Sequence, residues 1–534
     1  MNKSLHIFFY IPVLIIGIGI FSQKTYATDE DSFSNQEEIF QTIFDDTQLY
    51  QDTNNIQKAP ACQPAPENAY EVVQFLTSSD INAQKIVQND IYLYTNVLNK
   101  RPFFTQPFFN QEAYCNKSRS NGFSLDIFYQ ETNHKNYTQY SKNLDSYIDL
   151  DHPDLLDDID IKQFTSIDVP EFLQLFSPIK IQERKFGAIF KAMANVHNVT
   201  LRAALPFYYL ERNFYLTQEQ ANNIQNKQIF LTTLQESAEK FLKQHLANDQ
   251  LGLGDLTLSA EKILLETDTD SLKLQGRITI PTANSVKEGL IGGQHSLKCT
   301  NPDFSFLYIY QLGLSNDDAC HELLIDYITN FGIEVLDRLA ANLAKTSLGQ
   351  KHVSLGLDCN IHHYLNDYLF FSLEGYADYF ISNKEKRMLL KTINPSDFDR
   401  DYTSEQDADA NLAFLNQRFI DMLYPPAMYV HVRPGWDSGA RMAINLDTDL
   451  YLLRVGLDIW FATAEKLHGV SNTMYKIKQA ERPGAYQGKI FADYSTNKCW
   501  CGYQVTGTIS GDVAIKQYGI GSDFTLAVQG AIEF

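Results

Sequence analysis

Hydrophobic and polar residues alternate with a period of two along most of the chain after residue 120. The pattern is clearest in the last segment, FTLAVQGAIEF, which ends at Phe534. Its apolar positions are Phe524, Leu526, Val528, Ile532 and Phe534, and its polar positions include Thr525, Gln529 and Glu533. A period of two predicts a β-strand with one apolar and one polar face.

The same alternation predicts about a dozen to fourteen strands of about ten residues, the length that crosses the hydrocarbon layer of a membrane at a tilt. The clearest segments are residues 123–129, 186–194, 199–205, 272–280, 353–361, 442–446, 451–461 and 503–516. We expect one hairpin over residues 252–283, with its turn at residues 266–271, and another that joins residues 352–363 to residues 368–381. The third of these strands ends before Pro206 in this prediction.

The polar faces of these strands carry charges of both signs. The charged positions that we expect to line a lumen, and to select solutes there, are Arg277, Asp358, Glu374, Asp378, Arg441, Arg454, Asp458 and Asp512. A single alternating strand also fits a soluble β-sandwich or soluble barrel, whose apolar face packs on a core. Interleaved charges with Thr, Ser and Gln favour the polar interior of a membrane barrel.

Composition and charge narrow the class further. The 534 residues are 44% hydrophobic, and the net charge is −21. Internal segments lack the ~18 to 20 consecutive apolar residues of a membrane helix. Near the start, Lys3 precedes an apolar run over residues 7–21, which predicts a secretory signal cleaved after Ala27. Cleavage removes two lysines and no acid, so the net charge becomes −23 and disfavours nucleic acid and anionic lipid headgroups as partners.

The expected organisation has three parts: a signal over residues 1–27, an extension over residues 28–120 that forms a plug or a periplasmic segment, and a barrel over residues 121–534. The predicted strands conflict with one rule of such barrels. If both ends of the barrel face the periplasm, the short turn at residues 365–367 falls outside and the long stretch 382–426 falls inside. A strand is therefore missing or wrongly added in that region.

The segments between strands are long. Residues 140–177 are rich in Asp. The two alternatives are a Ca²⁺ site and a solvated acidic loop, and the absence of EF-hand spacing favours the loop. Residues 233–247 and 331–344 have helical spacing. Such segments could fold into the pore or cap it.

Seven cysteines follow the predicted signal, at positions 62, 115, 299, 320, 359, 499 and 501. Export would allow disulfides, and Cys62 with Cys115 or Cys299 with Cys320 could close loops, but the odd number leaves a free thiol. Cys359 lies on an apolar strand face, as a small hydrophobic residue does. Cys499 and Cys501 lack further metal ligands nearby, which favours a loop thiol pair or a disulfide between them.

Motifs of known enzymes are absent or incomplete. Cys320-His-Glu322 lacks the second histidine of a zinc protease, and His362-His363 would point to opposite faces of a strand. Trp436-Asp-Ser-Gly439 is only a fragment of a serine-protease motif. The sequence therefore predicts no enzyme, no catalytic residue, no cofactor and no metal site.

A sheet can lie in a bilayer only if its last strand pairs with its first, because an unpaired backbone group costs several kcal/mol there. An exported chain whose final strand alternates and ends in Phe resembles the outer-membrane β-barrels of Gram-negative bacteria. That resemblance implies an all-β, antiparallel transmembrane barrel in the outer membrane, with lipid and the barrel-assembly machinery as partners. It makes Phe524, Leu526, Val528, Ile532 and Phe534 the assembly signal.

A shorter segment suggests a narrower resemblance. Gly252-Leu-Gly-Asp255 followed by Ile278-Thr-Ile-Pro-Thr282 resembles a hairpin of barrels related to the phenol-degradation MetA-pathway and fatty-acid-uptake porin families, with Ala283 where they have Gly. The resemblance implies a channel or transporter for small, including hydrophobic, solutes. The alternative is an envelope anchor that displays acidic loops.

Aromatic residues near strand ends predict belts at the headgroup boundary: Tyr451, Phe461, Tyr494, Tyr503, Phe524 and Phe534.

Overall fold

The structure is a computed structural model. It describes residues 69–78, 91–93, 121–133, 148–150, 180–215, 247–288, 304–334, 347–392, 404–448, 450–518 and 522–534, with short gaps in the later ranges. Contacts divide the chain into two units, Met1–Gln63 with Asp317–Cys320, and Pro64–Asn316 with His321–Phe534. The barrel belongs to the second unit.

The helices are α1 (Ala69–Ser78), α2 (Phe306–Gly313), α3 (Glu405–Leu423) and α4 (Ile477–Ala480). The strands are β1 (Ile91–Leu93), β2 (Gly122–Asn133), β3 (Ile148–Leu150), β4 (Lys180–Val196), β5 (Val199–Tyr215), β6 (Ala247–Leu253), β7 (Leu256–Glu266), β8 (Asp270–Ile280), β9 (Asn284–Glu288), β10 (Ser354–Tyr364), β11 (Leu369–Phe380), β12 (Asn383–Met388), β13 (Ala427–Arg433), β14 (Trp436–Asp447), β15 (Tyr451–Ala462), β16 (Lys466–His468), β17 (Ala485–Trp500), β18 (Tyr503–Tyr518) and β19 (Ser522–Glu533). Among these described helices, none is long and apolar enough to cross a membrane.

One antiparallel sheet closes on itself into a barrel. Within the described residues the wall has twelve strand positions, in the order β2, β4, β5, β6 with β7, β8 with β9, β10, β11, β14, β15, β17, β18 and β19. The barrel closes where β19 pairs with β2, and the backbones of Phe534 and Asn121 exchange hydrogen bonds of 2.9 and 3.3 Å. The predicted all-β barrel and its closure are confirmed.

The two ends of the barrel differ in the length of their connections. The end that carries Phe534 has the short turns: residues 197–198, 267–269, 365–368, 448–450 and 501–502. Two-residue turns require left-handed backbone, and His197 and Asn198 have φ of 49° and 67°. Short turns face the periplasm in such barrels, so we call the opposite end the outer end.

The sequence-based topology was wrong at residues 365–367 and 382–426. The short turn lies at the periplasmic end, and the described residues between β11 and β14, which are 381–392, 404–423 and 426–435, lie at the outer end. The hairpin predicted over residues 252–283 is confirmed as β7 and β8, while the alternation did not reveal that β6 and β9 continue its two arms in the same wall positions. Pro206 also does not end its strand. It lies in β5 where the partner changes from β7 to β6, so its missing N–H leaves no ladder bond unmade.

The outer surface of the barrel is apolar. Ile444, Leu526 and Val528 are 62%, 58% and 54% exposed on it. Aromatic rings lie in contact near both ends: Tyr503 with Phe534 and Tyr451 with Tyr494 at the periplasmic end, and Tyr379 with Trp436, Phe461 with Tyr486 and Tyr486 with Tyr518 at the outer end. This arrangement is the apolar band with aromatic belts of an outer-membrane barrel.

At the outer end, β12, β13 and β16 form a separate three-stranded sheet, which we call the outer sheet. Helix α1 contacts α2 and α3 there, with Val72 and Val73 buried. An aromatic cluster of Phe304, Phe306, Phe331 and Phe419 packs beside them. The predicted signal, most of the extension, and residues 140–177 and 233–247 lie largely outside the described residues, as do most of residues 331–344.

The cysteines divide by position. Cys320 is disulfide-bonded. Cys359, Cys499 and Cys501 are free thiols, and the last two are exposed at the turn between β17 and β18. Of the two alternatives for that turn, the structure has the thiol pair.

Candidate functional site in the barrel lumen

The eight charged residues proposed from the sequence all lie on the inner face of the barrel wall. Six are buried residues: Arg277, Asp358, Glu374, Asp378, Arg441 and Asp458. The side chains of Arg454 and Asp512 are 13% and 8% exposed. Because their strands are neighbours from β8 to β18, the alternation that turns each side chain inward also brings the eight into one belt.

Lys489 is the most enclosed charge in this belt. Its side chain is 0% exposed, and its Nζ lies 2.7 Å from Asp512 Oδ1 and 2.9 Å from Asp523 Oδ1. Two amides complete the shell: Gln130 Nε2 donates to Asp523 Oδ2 at 2.6 Å, and Gln487 Nε2 donates to Asp523 Oδ1 at 2.9 Å. The group links β2, β17, β18 and β19 across the closure of the barrel.

A second group surrounds Asp493. Its Oδ2 accepts hydrogen bonds from Arg441 Nη2 at 2.8 Å and from Arg454 Nη2 at 2.9 Å. The Arg441 guanidinium also lies 3.5 Å from the centre of the Phe491 ring, a cation–π contact. Arg454 lies 3.9 Å from Glu374, and Asp458 lies directly opposite Arg441 in the ladder. One carboxylate therefore holds two cations inside the wall.

The other half of the lumen repeats this pairing. Arg277 is held between Asp378, to which it donates a short hydrogen bond, and Asp358 at 3.4 Å. Two further pairs are Arg202 with Glu261 at 2.9 Å and Lys191 with Asp126 at 2.5 Å. The lumen is thus lined by opposed charges rather than by one sign.

A cavity of about 60 Å³ lies between these pairs near the periplasmic end. The side chains that border it include Lys191, Arg202, Arg277, Ser259 and Glu533. This volume holds several water molecules. Other described side chains of the inner face are fully enclosed: Asn445, Trp460, Gln487 and Lys489 are all 0% exposed.

An apolar layer lies on the inner face of the barrel. It joins buried residues of β2, β4, β5 and β19 to Leu348, which comes from the segment before β10: Phe128, Ile189, Ala204, Tyr208, Leu210 and Ala527. Tyr208 Oη donates to Leu348 O at 2.6 Å. We call residues 347–350 the strap, because they enter the lumen from the outer end.

The strap is held where the wall is interrupted. The break between β6 and β7 lies beside the break between β8 and β9. Asp255 Oδ2 accepts from Gln350 N at 2.6 Å, and Asp255 Oδ1 accepts from Ala283 N at 3.2 Å. Thr282 Oγ1 joins the two breaks by accepting from Leu256 N and donating to Gly254 O. The GLGD and IPTA segments therefore form a latch for the strap.

A charged network ties the strap's end to the outer sheet. His352 Nε2 lies 2.6 Å from Glu385 Oε1, and Arg387 pairs with both Glu385 and Glu465. Burial acts to raise the pKa of Glu385. The hydrogen bond from His352 and the charges of Arg387 and Arg482 outweigh burial and lower that pKa to about 2.

In the two groups around Lys489 and Asp493, the sequence missed three charged residues: Lys489, Asp493 and Asp523. All three occupy polar positions of alternating strands, so the same signal that indicated their neighbours was present. Other candidates are ordinary: His363 pairs with Asp270 at an exposed turn, and His362 contacts the Phe370 ring.

Neither a protein-family model nor a curated protein sequence matches this chain. Among solved structures, it is similar to an outer membrane channel of Pseudomonas putida F1, with 11% identity, a TM-score of 0.37, and coverage of 79% of this chain and 100% of the other. The Pseudomonas putida toluene transporter TodX has 8% identity and a TM-score of 0.26, with coverage of 83% of this chain and 97% of the other. The transport unit of the autotransporter AIDA-I from Escherichia coli has 7% identity and a TM-score of 0.31, with coverage of 83% of this chain and 96% of the other.

The geometry of the barrel itself defines the class of this protein. A closed antiparallel barrel that is apolar outside, charged inside and bordered by aromatic belts is an outer-membrane β-barrel. This protein is one, and it lies in the outer membrane.

Proposed function

We propose that the barrel is an outer-membrane channel or transporter through which small solutes, including hydrophobic ones, diffuse. The observation that carries the proposal is the belt of buried ion pairs in the lumen, with Lys489 and Asp493 at its centre. Buried ion pairs add little to stability, and well-packed apolar residues in their place are often neutral or stabilising. A barrel whose interior served only as a packed core would not need buried ion pairs. A solute path does, because charged side chains along it select the solute.

The hydrophobic part of the proposal is supported by the apolar layer. The apolar layer includes Leu348, Phe128 and Tyr208 and lies inside the barrel next to the break between β6 and β7. A solute that passes the ion pairs or this break therefore meets apolar surface. In this proposal the strap closes the path at rest. The plug predicted for the extension stays a prediction, and its described helix α1 packs on helices of the outer end.

The test is conductance and ion selectivity in planar bilayers. Purified, folded protein should conduct, and Asp493→Asn should shift the reversal potential towards anion preference, because Arg441 and Arg454 lose their shared carboxylate. Asp367→Asn, in an exposed periplasmic turn, is the matched control and should leave the potential unchanged. Liposome swelling with small neutral solutes measures transport of uncharged molecules.

The enclosed side chains of the inner face favour a second candidate, an envelope anchor that displays the acidic residues 140–177. That function predicts folded protein without conductance or solute flux. It also predicts partners that are recovered with wild-type protein and lost when the loop is deleted without loss of folding.

A further inference from the structure

The outer sheet has two different faces. One face packs on the apolar cluster of Leu389, Val430, Val432, Leu467, Ile477 and Ala480. The acids Glu385 and Glu465 belong to this inner side, where Arg387 pairs with both. Those acids therefore cannot neutralise cations on the other face.

The opposite face is basic. Lys384, Arg433 and Lys466 are exposed on it, and Lys386 is half-buried with its Nζ 5.1 Å from the centre of the Tyr429 ring. None of these four cations has an ion pair with another residue in the described part of the chain. We call these four residues the basic face.

The cations of the basic face also stand against each other. Arg433 and Lys466 are directly opposite each other in the ladder of the outer sheet. Like charges in that position destabilise a sheet. A bound anion would remove the repulsion, so the arrangement is that of a site for negative groups.

The location of the basic face indicates which anion it meets. The Arg433 guanidinium lies 5.7 Å from the centre of the Tyr379 ring, and Tyr379 contacts Trp436, which is 53% exposed on the outer surface of the barrel. The basic face is therefore continuous with the lipid-facing surface. It begins just beyond the aromatic belt of the outer end, at the height of the headgroups of the outer leaflet.

We propose that the basic face binds the phosphate groups of the phosphorylated glycolipid of the outer leaflet. Arg and Lys donate charge-assisted hydrogen bonds to phosphate, and basic clusters next to a membrane bind anionic headgroups. The net charge of −21 does not oppose this, because charges beyond about 10 Å are screened at physiological ionic strength. The site is independent of any transport through the lumen.

The test uses the full chain, purified in detergent, and bisphosphorylated lipid A as the probe. Binding is measured by native mass spectrometry and by titration. The double variant Lys386→Gln with Arg433→Gln should bind the probe about thirtyfold more weakly, if each cation contributes as basic residues at anionic surfaces do. Lipid A with its phosphates removed should bind wild-type protein as weakly as the probe binds the variant.

The matched control is Lys262→Gln with Lys498→Gln. It removes the same charge from two exposed lysines near the periplasmic turns, and its affinity should equal that of wild type. Equal binding of phosphorylated and dephosphorylated lipid, or an unchanged affinity of the Lys386 and Arg433 variant, would overturn the proposal.

A measurement on wild-type protein removes the dependence on folding of a variant. Lysine acetylation read by mass spectrometry should show Lys384, Lys386 and Lys466 protected by the phosphorylated lipid, while Lys262 and Lys498 stay reactive. Protection of both sets to the same degree, or of neither, would also overturn it.

Discussion

Lys489 and Asp523 form an ion pair of 2.9 Å in which the lysine side chain is 0% exposed. The two residues lie on β17 and β19, and β18 runs between them. The pair therefore bridges an intervening strand across the lumen side of the wall, at the place where the barrel closes.

Replacing Lys489 by Met should destabilise the folded barrel by about 3 to 5 kcal/mol, because Asp512 and Asp523 would remain buried without their cation. The measurement is denaturant unfolding in detergent, followed by the change in gel migration between folded and unfolded barrel. The triple variant Lys489→Met, Asp512→Asn and Asp523→Asn removes the whole charge group and should recover most of the loss. A single variant as stable as wild type would contradict the assignment.

Placing a charge on the lipid-facing surface should be costly. Val528 is 54% exposed on that surface, and Val528→Lys should cost about 2 to 4 kcal/mol or block assembly. Val455→Arg, at a second position of this kind, should behave alike. Val528→Leu keeps the surface apolar and should assemble as wild type does; similar yields of folded Val528→Lys and Val528→Leu would count against the facing of β19.

Thr508 occupies a polar position of the alternating segment 503–516, which by itself predicts that Thr508→Lys would be mild. The structure changes this expectation. Thr508 is 4% exposed and lies 2.9 Å from the Ser495 hydroxyl, so a lysine there would enter a filled interior. We expect Thr508→Lys to be destabilising as well, by the same unfolding assay.

The strap should respond to a single methyl group. A Cβ at Gly349 would overlap Asp255 Oδ1 and the Ala283 side chain, whereas a Cβ at Gly276 would meet no atom within 4 Å. Gly349→Ala should therefore displace the strap from its latch and raise conductance in planar bilayers. Gly276→Ala should conduct as wild type does. If both variants match wild type while Gly349→Ala stays folded, the strap does not close the path.

Acid should loosen the outer sheet. The pKa of Glu385 is lowered from about 4.5 to about 2 in the folded protein, so its ionised form adds stability above pH 4.5, and this is lost as the pH falls towards 2. The difference corresponds to about 3 kcal/mol. The hydrogen-exchange protection of residues 383–388 and 427–433, taken relative to the intrinsic exchange rate at each pH, should fall between pH 4.5 and 2.

The control for this pH dependence is Glu385→Gln, which cannot ionise at that position. At pH 6 its outer sheet should be less protected from hydrogen exchange than that of wild type. On acidification, this protection should fall less than it does in wild type. An equal response to acid in both proteins would show that another group is responsible.

Much of the wall could be predicted from the sequence, because a strand in a membrane barrel must present apolar residues to lipid at every second position. Val528, Val455 and the inward Arg441 and Asp458 follow directly from that rule. The topology near residues 365–367 was not predicted, because the clear alternating segments include no strand over residues 485–500, where β17 lies, and a count back from Phe534 without it reverses every earlier strand. The outer sheet was also not predicted from the sequence, because the alternation that contains Lys384 and Lys386 extends over too few residues.

The sequence alone determined the class of fold, the faces of the strands and eight of the charged residues that the lumen contains, because these depend on a local period of two and on the solvent that each face meets. Only the tertiary structure decided which charges pair, that Lys489 bridges Asp512 and Asp523, that the strap enters at the wall break, and that the outer sheet gathers cations on one face. Those features depend on register between strands far apart in the chain, and a local pattern carries no information about register.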